Sequence, residues 1–217
     1  MVKGCSVVRS FCLIGIAGML AVSTGCAELK KLRQENRQLN ENLTNLQQEN
    51  ADLSSKASQY ESELNRLENS RKALEDQLKG TGATVRIKNG AVSVLLPGAI
   101  LFDAGQTALR PQSKATLKKI AGIIKTETAG EIVRIEGHTD NDPISRQKDK
   151  YKSNWELSAA RAAAVLHYMV EECGVSPTKV YIAGFGQYQA MADNKSKTGK
   201  AKNRRVEFVI MPRGSGG

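Results

Sequence analysis

Residues 131–140, EIVRIEGHTD, join a strand pattern to a short polar loop. Val133 and Ile135 alternate with polar residues, which is the period of a strand that buries one face. The alternation ends near Gly137, and Asp140 follows just beyond it. Loops at the ends of strands often carry binding residues. This stretch therefore predicts a sheet strand that delivers Asp140 to a binding site.

A strand pattern and then a helix pattern precede this stretch. Residues 92–96 predict a strand, and residues 84–88 are a candidate strand ahead of it. Pro111 suits the first turn of a helix. The apolar stripe of that helix consists of Leu117, Ile120 and Ile124.

A second helix and two further strands are predicted after the stretch. Ser153 and Glu156 have the spacing of a capping box that begins a helix, and Gly174 suits the left-handed residue that ends one. Residues 180–183 predict a short strand, and residues 206–210 predict a last strand with one apolar face. This order predicts an α/β (α+β) domain, a βαβαβ-type mixed sheet with helices packed on it.

Residues 29–78 keep a heptad register that no proline or glycine interrupts. The d positions are Leu32, Leu39, Leu46, Leu53, Tyr60, Leu67 and Leu74. The a positions are Leu29, Asn36, Leu43, Asn50, Ala57, Leu64, Arg71 and Leu78. A narrow apolar seam with this period predicts a left-handed coiled coil.

Polar residues in the seam predict how these helices associate. Asn36 and Asn50 at a positions weaken the seam but fix its register, which favours a parallel homodimer, with a trimer as the alternative. About fifty helical residues give a rod of roughly 75 Å. Residues 26–79 are therefore expected to be a coiled-coil spacer.

The N-terminal residues 1–25 have the pattern of a secretory signal. A basic start is followed by an uncharged run, residues 11–25, that is short for a membrane-spanning helix. Ser23 to Cys26 resembles a bacterial lipobox, with Ser23 where that pattern usually has Leu. We expect Cys26 to be acylated, and the alternatives are an ordinary cleaved signal or an uncleaved anchor.

Two neighbouring features bear on the compartment. The residue after Cys26 is Ala27. In some bacterial lipoproteins an Asp at this position is linked to inner-membrane retention, so the alanine favours the outer membrane. After loss of the signal and acylation of Cys26, only Cys173 is left, so the mature chain is expected to have no intrachain disulfide.

The C-terminal part of the chain carries its basic character. Residues 80–217 contain 21 Lys and Arg against 12 Asp and Glu. A basic surface suits nucleic acid, anionic lipid headgroups or an acidic wall polymer, and export argues against nucleic acid. Residues 80–212 have the length of one compact domain, and residues 213–217 are a tail.

Asp140 and the predicted second helix together suggest a small charged pocket. Asn154, Leu157 and Arg161 fall on one stripe of that helix. Arg161 would grip a carboxylate with two hydrogen bonds, and Asp140 would pair with an ammonium group. A free amino-acid end carries both groups on one carbon. The alternative is that Asp140 and Arg161 pair with each other.

Four spaced motifs resemble a known family. They are Gly-His-Thr-Asp at 137–140, Asn-x-x-Leu-Ser-x-x-Arg-Ala at 154–162, Gly-x-Gly at 184–186 and Asn-Arg-Arg-Val-Glu at 203–207. In this order they resemble the C-terminal peptidoglycan-binding domain of the OmpA/MotB family, and the MotB-like branch most. The resemblance spans about residues 84–211. The stretch after Gly186 departs from the family in having no proline.

The resemblance implies a ligand and a set of site residues. The family binds the diaminopimelate of peptidoglycan stem peptides noncovalently, and its acid and arginine correspond to Asp140 and Arg161. The residues implied to line the site are Thr139, Asn154, Leu157, Asn203 and Arg204. Phe102 and Asp103 are expected at its edge.

An enzyme has little support in the sequence. The candidates for metal binding or acid–base catalysis are Glu136, His138 and Asp140. The only other histidine is His167, and the sequence has no zinc-hydrolase spacing. No nucleophile elbow appears either. We therefore predict no catalytic residue, metal or cofactor.

The sequence predicts a lipid-anchored outer-membrane protein that faces the periplasm and tethers the membrane to peptidoglycan. A coiled-coil envelope scaffold with a protein partner is one alternative. A flagellar-stator-like wall anchor is another, although a proton-coupled stator needs an acid in its membrane helix and residues 10–25 contain none.

Overall fold

The computed structural model describes residues 5–126 and 130–212 of the 217-residue chain, with side chains from Glu28 onward. Residues 1–4 of the predicted signal and the tail 213–217 lie outside the described residues, as does the side chain of Cys26. Across the described part, no helix has both the length and the apolar character needed to cross a membrane. The chain divides into two compact units, residues 1–62 and 63–217.

Residues 5–62 of the first unit are helical and form most of helix α1 (Cys5–Gln77). Its seam leucines are all more than half exposed. They are Leu29, Leu32, Leu39, Leu43, Leu46 and Leu53, and Tyr60 is also exposed. Exposure of apolar side chains to water is unfavourable. No other described residue of this unit covers the seam, so it is an apolar stripe without a partner within the unit.

The last turns of α1 belong to the second unit. Leu67, Leu74 and Leu78 are at most 7% exposed and form part of the hydrophobic core of that unit. A side chain buried in its own domain cannot also pack against a second helix. At these three positions the predicted intermolecular seam is therefore wrong, and an unpaired seam ends at Leu64, which is 59% exposed.

The second unit is built on a five-stranded mixed sheet. Its strands are β1 (Thr84–Lys88), β2 (Ala91–Pro97), β3 (Glu131–His138), β4 (Val180–Gly184) and β5 (Arg205–Pro212). The spatial order is β1-β2-β5-β3-β4, in which β3 and β4 are parallel and the other pairs antiparallel. The predicted α/β fold with a mixed sheet is confirmed.

Helices connect these strands. They are α2 (Gly98–Leu101), α3 (Ser113–Thr126), α4 (Asn154–His167) and α5 (Lys197–Asn203). A π-helical turn extends α4 over Tyr168–Glu172, and Gly174 follows in the left-handed conformation with φ +67°. The predicted helix end at Gly174 is therefore confirmed, since glycine adopts this conformation without steric cost.

One face of the sheet is apolar and forms the core. Val94 and Ile135 both stand opposite Phe208 in the register, and all three are at most 2% exposed. Leu117, Ile120 and Ile124 of α3 join the same core, as their spacing predicted. The core fixes β3 between β5 and β4, and with it the loop that carries Asp140.

Close contact between β3 and α4 positions the second helix. The Ser153 hydroxyl caps α4 by accepting a hydrogen bond from the Glu156 amide, and the Glu156 carboxylate accepts one from the Lys152 amide. A Cβ atom at Gly137 would lie 2.0 Å from the Ser158 carbonyl oxygen, so only glycine permits this approach. Helix α4 therefore lies directly beside the end of β3.

Candidate ligand-binding site

A cavity of about 310 Å³ lies at the carboxyl end of β3. Its walls come from the segment 98–105, the loop after β3 and the first two turns of α4. Eight of the nine residues predicted for the site line it. These are Phe102, Asp103, Thr139, Asp140, Asn154, Leu157, Arg161 and Arg204. The cavity is the size of a small ligand.

The acid of the cavity is paired. Asp140 is 6% exposed, and one of its carboxylate oxygens accepts a hydrogen bond from Arg204. The other oxygen accepts a hydrogen bond of 3.3 Å from the Asp142 amide. The alternative in which Asp140 and Arg161 form a structural ion pair is therefore wrong, because the ion-pair partner of Asp140 is Arg204.

The arginine of α4 has no carboxylate partner among residues 28–126 and 130–211. Arg161 is only 8% exposed, and its Nε donates a 3.1 Å hydrogen bond to the Gln106 carbonyl oxygen. Its guanidinium lies 5.3 Å from the centre of the Phe102 ring, a cation–π contact. Burial lowers the pKa of Arg161, and the nearby Asp140 raises it. An arginine remains charged at neutral pH even so, and this one faces the cavity as an unpaired cation.

Two polar side chains complete the floor of the cavity. The Asn154 amide donates to the Asp142 carbonyl oxygen at 3.0 Å and to Oε1 of Gln187 at 3.0 Å, and so ties the β3–α4 loop to the loop after β4. The Thr139 hydroxyl is buried and has no hydrogen-bond partner within the described residues. A buried hydroxyl without a partner costs free energy, so it is a free group for a ligand.

Comparison with known proteins identifies the domain. The OmpA family profile matches residues 101–204. Residues 101–204 form an OmpA-family domain. The predicted resemblance is confirmed.

Relatives of this OmpA-family domain occur in several bacterial proteins. Motility protein B of Bacillus subtilis is 32% identical over 66% of this chain and 52% of its own length. "Probable lipoprotein YiaD" of Escherichia coli is 30% identical over 64% of this chain and 60% of its own length. The chain thus spans little more than half of these relatives. Neither is named as an enzyme.

Solved structures share the fold. The periplasmic domain of Helicobacter pylori MotB superposes with a TM-score of 0.57 at 26% identity, over 62% of this chain and 82% of that one. The cell wall anchor of the type VI secretion system (T6SS) from Pseudomonas aeruginosa superposes with a TM-score of 0.56 at 30% identity, over 64% and 94%.

One predicted site residue of the OmpA-family domain lies away from the cavity. Asn203 is fully buried and uses its amide on the loop before α5. It accepts hydrogen bonds from the Met191 and Ala192 amides at 2.9 Å and donates to the Ala192 carbonyl and the Asn194 side chain. Asn203 therefore stabilises the loop before α5 and does not line the cavity.

Sequence reasoning missed the outer wall of the cavity. Arg146 lines it and donates a 3.3 Å hydrogen bond to the Ala104 carbonyl oxygen. Gln147, with φ +59°, donates a 2.5 Å hydrogen bond to the Gln106 side chain. These contacts join the long β3–α4 loop to the segment 102–110. The positions lie about forty residues apart in two irregular segments, and no sequence pattern links them.

The second face of the sheet carries a buried charged cluster. Glu136 and Glu207, both at most 1% exposed, are surrounded by four cations: Arg86, Lys88, Arg134 and Arg205. Burial raises the pKa of each carboxyl, but hydrogen bonds outweigh it and lower the pKa to about 2. The donors are His138, Arg134 and Lys88 for Glu136, and Arg86 and Arg205 for Glu207.

The same cluster includes a histidine and three potential metal ligands. Ligand atoms of Glu136, His138 and Glu207 lie within 4.8 Å of one another. Burial lowers the pKa of His138, and its ring stacks on Phe185 at 5.2 Å. Since the four surrounding cations already satisfy both carboxylates, a divalent metal would meet strong repulsion there. The cluster is better suited to stabilising the sheet.

Proposed function

We propose that the OmpA-family domain binds peptidoglycan noncovalently through the free amino-acid end of a diaminopimelate side chain. The observation that carries the proposal is Arg161, a buried cation on the cavity wall without a carboxylate partner among the described side chains. Burying an unpaired charge is unfavourable, and a ligand carboxylate would remove that cost. The planar guanidinium also matches a carboxylate with two parallel hydrogen bonds.

The ammonium group of the same ligand end would bind Asp140. One carboxylate oxygen of Asp140 accepts only the long 3.3 Å hydrogen bond from Asp142, so it retains capacity for a charged donor. The Thr139 hydroxyl, which has no hydrogen-bond partner among the described residues, would form a further hydrogen bond with the ligand. Recognition by placed charges and hydrogen bonds involves no bond making or breaking, so the proposed function is binding and not catalysis.

The whole chain would couple a membrane to the wall. We propose acylation of Cys26, attachment to the outer membrane and a periplasmic position for the domain. The lipobox-like sequence before Cys26 and the relative named as a probable lipoprotein support this part. The part of helix α1 that follows Cys26 would then be the spacer between the lipid and the wall.

The exposed seam of α1 would be covered by a second copy of the chain. In a parallel dimer in register, the g residue of one helix faces the e residue five positions later on the other. This pairs Glu28 with Arg33 and Lys56 with Glu61, both of opposite sign. The next charged pair, Glu63 with Glu68, is like-charged and lies where the core leucines leave the seam. Two domains on one coil would add avidity to a modest single-site affinity.

Co-sedimentation with insoluble peptidoglycan tests this function. Residues 28–217 keep every core residue, including Leu67 and Leu74, and are suited to the assay. We expect sedimentation that excess free diaminopimelate prevents and that Arg161→Ala abolishes. Sedimentation that salt removes but diaminopimelate does not would contradict the proposal, because it would reflect only the basic surface.

A further inference from the structure

Two large aromatic side chains are stacked on the surface of the domain. The rings of Trp155 and Tyr188 lie 4.8 Å apart between centroids and 21° from parallel. Their exposed fractions are 46% and 64%, although aromatic side chains of this size usually bury most of their area. Trp155 is the only tryptophan of the chain. The pair forms a solvent-exposed aromatic platform.

The platform adjoins the cavity. Trp155 follows Asn154 at the start of α4, and Asn154 lines the cavity. The Asn154 amide donates a hydrogen bond to Gln187, the residue before Tyr188. Gly186, with φ +54°, brings the loop after β4 to 3.2 Å from the Asn154 backbone, measured from the position of a Cβ on that glycine. One short connection therefore sets the position of the platform relative to the cavity.

We propose that the Trp155–Tyr188 platform binds a sugar ring of the glycan strand whose stem peptide occupies the cavity. The apolar C–H face of an N-acetylated pyranose packs on a flat aromatic ring, while its hydroxyl and amide groups stay in water. Rigid aromatic side chains give large contact area at low entropic cost. Because the stem peptide is covalently attached to the glycan, a ligand held at Arg161 keeps sugar rings near the cavity, which the platform adjoins. This inference rests on the proposed function.

Titration of the full chain with three probes tests the platform. The probes are the tripeptide L-Ala-D-Glu-diaminopimelate, the same tripeptide on its N-acetylglucosaminyl-N-acetylmuramic acid disaccharide, and that disaccharide alone. We expect the disaccharide-tripeptide to bind about tenfold more tightly than the tripeptide, the scale of one aromatic contact. Trp155 fluorescence should change with the two sugar probes and stay constant with the bare tripeptide.

Variants separate the platform from the cavity. Tyr188→Ala and Trp155→Ala should lower the affinity for the disaccharide-tripeptide to that of the tripeptide and leave the tripeptide affinity unchanged. Tyr188→Phe keeps the ring and should retain the tenfold gain. Tyr181→Ala removes another exposed tyrosine, on β4, and is the matched control.

Results that refute sugar binding by the platform differ from results that refute ligand binding in the cavity. Equal affinity of the wild type for both peptide probes would refute sugar binding by the platform. Equal losses of affinity for both probes in the alanine variants would refute it as well. A change of oligomeric state in Trp155→Ala, with sugar affinity kept, would assign the pair to a contact between copies and overturn it as well. If the tripeptide itself does not bind, or binds independently of Arg161, the proposed function fails instead.

Discussion

Asp140 pairs with Arg204, and this pairing leaves Arg161 without a carboxylate partner among residues 28–126 and 130–211. The two arginines thus have different roles in one cavity. Arg204 holds the Asp140 carboxylate in place through a hydrogen bond, whereas Arg161 presents a buried, unpaired positive charge. An anionic group of a ligand would complete the charge balance of the cavity, and the proposed recognition of a carboxylate rests on this arrangement.

Replacing Arg161 tests the role of this charge. We expect Arg161→Ala to lose about 2–5 kcal/mol of binding free energy for a diaminopimelate peptide, or at least about thirtyfold in Kd. Arg146→Ala removes an exposed arginine from the same cavity and is the control for net charge. Calorimetric titration measures both. Equal losses in the two variants would show that only the overall positive field attracts the ligand.

The close approach of β3 and α4 makes a stability prediction. In Gly137→Ala, the new methyl group would meet the Ser158 carbonyl oxygen and force α4 away from the sheet. We expect a loss of about 3 kcal/mol or more in the free energy of unfolding, together with weaker ligand binding. Gly122→Ala in α3 is the control, because its methyl group meets no atom within 4 Å. The control should gain about 0.5–1 kcal/mol in denaturant unfolding.

Local patterns predicted much of this molecule. The strand alternation around Ile135, the capping box at Ser153 and the stripe that carries Arg161 all follow from short-range periodicity. The pairing of Asp140 with Arg204 joins residues 64 positions apart. Asn203, next to Arg204 in the sequence, lies in the protein interior instead of the cavity. Neither fact is encoded in a local pattern, because each depends on how loops pack.

The heptads show the same limit. The heptad pattern of a leucine at a d position is the same whether the leucine packs on a second helix or on the sheet of its own chain. Leu46 is 56% exposed and Leu74 is 6% exposed, yet both stand at d. The pattern predicted an apolar stripe correctly and could not assign its partner.

This difference between two d positions can be measured. Leu46→Asn should weaken self-association, seen as a lower mass in sedimentation velocity, and leave the unfolding of the domain unchanged. Leu74→Asn should destabilise the domain by about 2–5 kcal/mol, because it leaves a buried polar group and a poorly filled core. A monomeric wild type, or loss of association in Leu74→Asn alone, would contradict the assignment of the seam.

The charged cluster predicts an acid-sensitive domain. The pKa values of Glu136 and Glu207 are about 2 in the folded state, below their ordinary value of 4.5. Their stabilisation is therefore fully present above about pH 4.5 and is lost as the pH falls towards 2. His138 also makes the folded state less stable as the pH falls below about 6.5. Burial lowers its pKa, so the unfolded chain binds a proton more readily than the folded one.

Glu207→Gln isolates this effect. The variant should lose about 3–5 kcal/mol at neutral pH, because Arg86 and Arg205 lose the buried negative charge with which they pair, and its melting temperature should depend less on pH. Glu172→Gln, at an exposed position, removes one acid elsewhere and should keep the wild-type acid dependence. Parallel melting curves from pH 7 to pH 3 for all three proteins would refute a stabilising role for the cluster.

The most direct test of the account compares two tripeptides that differ by one carboxylate. The side chain of diaminopimelate in L-Ala-D-Glu-diaminopimelate ends in a free amino-acid centre. The lysine side chain of L-Ala-D-Glu-L-Lys has the ammonium group without a carboxylate on the same carbon. Calorimetric titration of residues 28–217 with each peptide measures what Arg161 contributes. We predict that the diaminopimelate peptide binds at least about tenfold more tightly than the lysine peptide, and that this difference vanishes in Arg161→Ala. Equal affinities of the wild type for the two peptides would contradict it.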